Sequence, residues 1–171
     1  PALVTLFLNL VLPYGIAMKC TIALAVLLMP YAAWRFAARL SISPFAGPAA
    51  AAATLMFQTE RFHTIYGGNI ASVLTGEFSC SLSFILALFS LSFILDYLRD
   101  PSKGVPRLLP FSMAACAMSH VLGAVFMVVM SFVLILWHQE RVRNLRALVV
   151  PILTLLGATA IFDNLIIWSG L

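Results

Sequence analysis

Long apolar runs make up most of this chain, and they leave too few polar residues to cover a water-facing surface. Hydrophobic residues account for 63% of the 171 residues and charged residues for only 9%, whereas soluble domains average roughly 45–50% apolar and about 25% charged. Because a membrane-spanning helix needs about 20 apolar residues, the chain has material for about five or six spans. The expected fold is an all-α polytopic transmembrane bundle with some spans short or broken.

The chain is predicted to form a single transmembrane region over residues 1–171. It starts at Pro1 without an initiator methionine, and its first and last residues are as apolar as the interior of a helix. We therefore expect it to be an excerpt of a larger polytopic protein, or an incomplete gene product.

The basic residues predict the orientation of the chain in the membrane. Most of them lie at the ends of apolar runs, a pattern typical of loops held on the cytoplasmic side. This placement favours a multi-pass protein of the plasma membrane and argues against nucleic acid as the partner, despite the net charge of +4. The basic residues are Lys19, Arg35, Arg39, Arg61, Arg99, Lys103, Arg107, Arg141, Arg143 and Arg146.

The three cysteines predict neither a disulfide framework nor a metal site. Cys20, Cys80 and Cys116 are far apart in apolar sequence. An odd number of cysteines without a CxxC or histidine spacing argues against both kinds of site. We expect them to be buried small hydrophobic residues.

The first half of the chain divides into apolar and polar segments. An opening stretch at 2–12 ends at a proline-glycine break, and a first full span follows at 16–34. The alanine-rich run at 48–57 is short, and its small residues predict a helix buried inside the bundle. Residues 59–77 are the most polar stretch outside the charged loops, and the next span is predicted at 78–97.

The apolar stretch 108–137 is too long for one upright span. If it were a single span, the basic clusters at 99–107 and 141–146 would face opposite sides, against the charge-bias rule. A break near Ser119 and His120 gives runs of about 12 and about 17 residues, a hairpin that is tilted or turns below the outer surface. A last outward span, 146–162, then leads to Asp163.

This topology puts three ionisable residues, Glu77, His120 and Asp163, at breaks on the outer face. Ionisable residues kept at membrane depth are functional candidates by default. Each also has a structural alternative. Glu77 can act as a first-turn acid that favours the helix dipole by about 0.3–1 kcal/mol, His120 can hydrogen-bond the backbone where two helices join, and Asp163 can cap a helix end.

The polar segment before Glu77 contains the candidate substrate contacts. Arg61 and His63 fit either lipid-headgroup contacts or stabilisers of a leaving group. The pair Gly67-Gly68 permits a tight turn with positive φ, and Asn69 suits such a turn. With Tyr66, these residues form a candidate substrate-binding loop in which backbone groups would cradle a phosphate.

The residues from Tyr66 to Ser83 read YGGNIASVLTGEFSCSLS. This stretch resembles the bacterial multi-span membrane family catalogued as 6-pyruvoyl-tetrahydropterin-synthase-related, whose members carry GG-x-I-A-S-x-x-x-G-E-F-S-x-S-L. The family also has a Ser-His pair in a small-residue run, similar to Ala114–Gly123 around Ser119-His120. The resemblance covers the chain from about Ala33 onward.

The resemblance implies an architecture similar to the C-type integral-membrane glycosyltransferases, which use lipid-phosphate sugar donors. In those enzymes the catalytic carboxylate usually lies in the first outer loop. This sequence has no visible equivalent upstream of Tyr14, so the resemblance does not supply a complete active site.

The expected activity is sugar transfer from a polyprenyl-phosphate donor at the outer membrane face, although whether the chain is an enzyme stays open. Such transfer needs a carboxylate to take the acceptor's proton and cationic help for the departing phosphate. Glu77, His120 and Asp163 are the candidate catalytic residues. The sequence identifies no metal ligands, and whether a divalent cation serves as cofactor stays open.

The alternative is a non-catalytic transport or assembly module of the membrane. A transporter is expected to show internal repeats and paired broken helices, and no convincing repeat is visible. Membrane lipid is the expected partner in either case, and the oligomeric state stays open.

Overall fold

The structure, a computed structural model, describes residues 2–60 and 69–138. Over these residues the chain is all-α, as predicted from its composition. The helices in chain order are α1 Ala2–Asn9, α2 Tyr14–Leu40, α3 Ala46–Gln58, α4 Ile70–Ser72, α5 Phe78–Arg99, α6 Leu108–Ser119 and α7 Val121–Trp137. A π-helical turn, Val73–Glu77, precedes α5, and a 3-10 turn, Pro101–Lys103, follows it.

Two of the described helices, α2 and α5, are long and apolar enough to cross a membrane, judged by length and composition. The predicted number of about five or six spans stays a prediction. The first span, α2, extends beyond the predicted 16–34 at both ends, and it continues through Pro30 as the prediction assumes.

The proline inside α2 is compensated by a side chain from α3. A helical proline lacks the N–H that would bond the carbonyl four residues earlier, which here is the carbonyl of Val26. Gln58 donates its side-chain N–H to that carbonyl at 2.7 Å and is itself buried. The helix therefore continues through Pro30 with its freed carbonyl satisfied.

Helices α2 and α5 run in the same direction and end at the same level. Tyr31 packs on Phe89 with 5.9 Å between ring centroids, and four residues further along α2 the Arg35 guanidinium lies 5.0 Å from the Phe93 ring centroid. Near the helix ends, Arg39 pairs with Asp96 at 3.2 Å. Helix α3 runs back along α2, from Gly47 beside Trp34 to Gln58 beside Val26.

Helices α6 and α7 both pack on α5, and they run in opposite directions to each other. Along α6, Ser112 bonds Ser90 at 2.9 Å and Cys116 bonds Ser83, so α6 is antiparallel to α5. Helix α7 then starts beside Ser83 and runs back toward the C-terminal half of α5. The cluster they share contains Ala87, Leu91, Ile94, Leu95, Leu98, Leu109, Met113, Cys116, Met127 and Leu134.

The bundle therefore has two chemically different ends. The basic end contains the C-termini of α2 and α5 and the loop into α6, with Arg35, Arg39, Asp96, Arg99, Asp100, Lys103 and Arg107. The polar end contains the C-terminus of α3, the N-termini of α4 and α5 and the break between α6 and α7, with Gln58, Asn69, Glu77, Ser83, Ser119 and His120. At the basic end, hydrogen bonding from Ser102 and the neighbouring Lys103 lower the pKa of the Asp100 carboxyl.

Candidate functional site

His120 forms the break between α6 and α7, as the sequence predicts. Its backbone is extended, with φ −166° and ψ 139°, between helices of 12 and 17 residues. The ring Nδ1 accepts the backbone N–H of Leu122 at 3.2 Å and so caps the start of α7. Because Nδ1 is an acceptor, the neutral ring carries its proton on Nε2.

Ser83 of α5 fixes the position of this break. Its hydroxyl lies 2.9 Å from the carbonyl oxygen of Cys116 and 3.0 Å from that of His120. The Cys116 thiol in turn donates to the carbonyl oxygen of Ser83 at 3.2 Å. Each of these carbonyls also accepts a backbone N–H at 3.3 Å, that of Cys116 from His120 and that of His120 from Ala124. The buried hydroxyl therefore adds a contact from the neighbouring helix to both sides of the break.

Gly123 lets α7 approach α5 at the same point. A Cβ at this position would overlap the Ser83 hydroxyl oxygen and lie 2.7 Å from the Ser83 Cβ. Any larger residue would push α7 away from the serine that holds the break. Ser83 and Gly123 are not among the predicted site residues, although both lie in the motif segments, because their role depends on contacts between helices distant in sequence.

Asn69, predicted as a substrate contact in a glycine-rich turn, caps the short helix α4. Its side-chain oxygen accepts the backbone N–H of Ser72 at 2.8 Å, and the side chain is almost completely buried. Its φ of −93° is that of an ordinary helix N-cap and not of a positive-φ turn. Among the described residues of this segment, the positive φ is that of Gly76, with φ 113°.

Glu77 lies directly before α5, at the helix start that the sequence predicts. Gly76, in the left-handed region, makes a sharp kink in the π-helical turn. This kink separates α5 from the preceding turn. Glu77 is the last residue of that turn and directly precedes Phe78, the first residue of α5. The structure describes the backbone of Glu77 only.

A groove lies beside these elements at the polar end. It has a volume of about 380 Å³ and extends between the end of α3 and the start of α4. Its lining residues are Gln58, Thr59, Glu60, Ile70, Ala71 and Leu74.

The structure brings Asn69, His120 and the backbone of Glu77 to the same end of the bundle. The other predicted site residues, Arg61, His63, Tyr66, Gly67, Gly68 and Asp163, lie outside the described residues. Within residues 2–60 and 69–138, no group of three histidine, cysteine or acidic side chains is arranged to hold a metal ion.

Comparison of the chain with protein-family models, with curated proteins and with solved structures finds no match.

Proposed function

We propose that this chain is part of a multi-pass plasma-membrane protein that transfers sugar from a lipid-phosphate donor at the outer face. The observation that supports this proposal is the gathering of helix breaks at the polar end, opposite the basic end. Arginine and lysine are enriched in cytoplasmic loops, so a membrane-embedded bundle would hold its polar end toward the outside.

The chemistry of the polar end fits this reaction. The phosphate of a lipid-linked sugar lies near the membrane surface while its lipid stays in the bilayer, so the reacting groups must lie at one face. A carboxylate at Glu77 would take the proton of the acceptor or hold a cation. His120, with the proton of its neutral ring on Nε2, is in the tautomer required to donate a hydrogen bond to a phosphate oxygen.

A pair of substitutions in the complete protein tests this proposal. Glu77→Gln removes the charge while keeping the size, and His120→Asn removes the imidazole while keeping an oxygen that caps a helix start. Both variants are expected to accumulate normally in membranes and to lose transfer from a polyprenyl-phosphate sugar, measured in those membranes. Asp100→Asn, at the basic end, is the control and should transfer normally.

Three results would count against the proposal. Normal transfer by both site variants would remove Glu77 and His120 from the site. Loss of transfer together with loss of accumulated protein would assign them a structural role. Loss of transfer in the Asp100→Asn control would show that the effect is not specific to the polar end.

A further inference from the structure

An apolar groove runs along the outside of the bundle toward its basic end. It has a volume of about 550 Å³ and lies between α5 and α6, next to α2. Its walls are mostly apolar, formed by Leu86, Phe89, Phe93, Leu108, Phe111 and Ala115, with Ser112 also lining the groove. They follow about two turns of each helix, so the groove extends roughly 10 Å along the helix axes.

One end of this groove carries excess positive charge. Arg35 lines the groove, and its Nε is buried without a hydrogen-bond partner among the described residues. Its carboxylate partner, Asp96, is shared, lying 3.8 Å from Arg35 and 3.2 Å from Arg39. The exposed Arg107 directly precedes Leu108 of the groove wall. One carboxylate therefore faces two guanidinium groups, and Arg107 adds a third cation at the same end of the bundle.

We propose that this groove binds an anionic phospholipid, with one acyl chain between α5 and α6 and the phosphate beside Arg35. The apolar walls match an acyl chain, and the excess positive charge matches a headgroup with net negative charge. Basic pockets between transmembrane helices on the cytoplasmic side bind anionic headgroups in this way. The site lies at the end opposite His120, and the proposal depends on membrane embedding but not on sugar transfer.

Tryptophan quenching by brominated lipids measures this binding directly. The three native tryptophans, Trp34, Trp137 and Trp168, are replaced by phenylalanine, and Phe111→Trp places one reporter in the groove wall, where residue 111 is 73% exposed. The chain is reconstituted in nanodiscs containing brominated phosphatidylglycerol or brominated phosphatidylcholine. We expect phosphatidylglycerol to bind roughly fivefold more tightly, the effect of about one basic residue at an anionic surface.

Four variants in this reporter chain test the role of the charge. Arg35→Gln should abolish the preference for phosphatidylglycerol, whereas Arg35→Lys should keep most of it because lysine also binds phosphate. Asp96→Asn should raise the preference, since it removes the carboxylate that Arg35 and Arg39 share. Arg99→Gln, an exposed arginine at the same end that does not line the groove, is the matched control and should leave the preference unchanged.

The proposal predicts that Arg35→Gln and Asp96→Asn change the preference for phosphatidylglycerol in opposite directions. Opposite effects of Arg35→Gln and Asp96→Asn would support the site, because a general loss of packing would change both variants in the same direction. Equal quenching by the two brominated lipids would overturn the proposed headgroup recognition. Absence of quenching by either lipid would show that another helix or a second copy of the chain covers the groove, and would overturn the proposal entirely.

Discussion

At the scale of single residues, the Ser83 hydroxyl is central because it joins α5 to the carbonyl groups on both sides of the α6–α7 break. Ser83→Ala would remove this hydroxyl, whose single proton is shared between the carbonyls of Cys116 and His120, while the backbone N–H donors of both carbonyls remain. We expect the free energy of unfolding to fall by about 0.5–1.5 kcal/mol, the net contribution of one hydrogen bond, measured by reversible unfolding in detergent micelles.

Ser92→Ala is the matched control for this variant. Ser92 is equally buried in α5, but its hydroxyl donates to the carbonyl of Leu88 in its own helix at 2.8 Å. That bond lies within one helix, so its loss does not remove a contact between helices and should cost less. Equal destabilisation by the two variants would contradict the assigned role of Ser83.

Gly123 gives a second prediction at the residue scale. Gly123→Ala places a Cβ in contact with the side chain and backbone of Ser83, so either helix must move. Overpacking of this kind is expected to lower the unfolding free energy by about 1–3 kcal/mol.

The matched control is Gly15→Ala in the first turn of α2, where an added Cβ meets nothing within 4 Å. It should leave the stability unchanged or raise it, since alanine favours helix over glycine. A Gly123→Ala variant as stable as the Gly15→Ala variant would show that α7 does not approach α5 this closely.

At the scale of helices, α2 and α3 are coupled through the carbonyl of Val26. Gln58→Leu would leave that buried carbonyl unsatisfied and should cost about 1–3 kcal/mol in unfolding free energy. In a Pro30→Ala background the alanine N–H can bond the same carbonyl, so Gln58→Leu should then cost clearly less. A double-mutant cycle of the two substitutions measures this coupling, and additive effects would contradict it.

The local pattern of the sequence predicts most helix boundaries in the described part of the chain. The break at His120 and the two unequal runs beside it follow from the length of 108–137 and from the charge-bias rule, and the structure confirms both. The start of α5 next to Glu77 also follows from the change from polar to apolar sequence. These features depend on neighbouring residues, which a single sequence contains.

The contacts between helices could not be predicted in the same way. The tolerance of Pro30 depends on Gln58, and the position of His120 depends on Ser83, each residue contributed by a helix distant in sequence. The cap formed by Asn69 was missed for a different reason, because the adjacent glycines indicated a turn with positive φ. The candidate site is therefore predicted in part, with the structural roles of Ser83, Asn69 and Gly123 found only in three dimensions.

At the scale of the whole molecule, the charges divide the bundle into two ends. The sequence predicts that the basic residues after the first span and those at 99–107 lie on the same side. The structure brings Arg35 and Arg39 to Asp96, close to Arg99, as this prediction requires. The central claim is that the bundle crosses a membrane with this basic end inside and the polar end outside.

Cysteine accessibility tests this claim most directly. Cys80 and Cys116 are buried as expected, whereas Cys20 is exposed, so its predicted burial is wrong. In a Cys20→Ala background, single cysteines replace the exposed residues Ile42 and Lys103 near the basic end and Thr59 at the polar end. A membrane-impermeant maleimide applied to intact cells should label the cysteine at 59, and the cysteines at 42 and 103 only after permeabilisation. Labelling of all three positions from the same side would contradict a bundle that crosses the membrane with its basic end inside and its polar end outside.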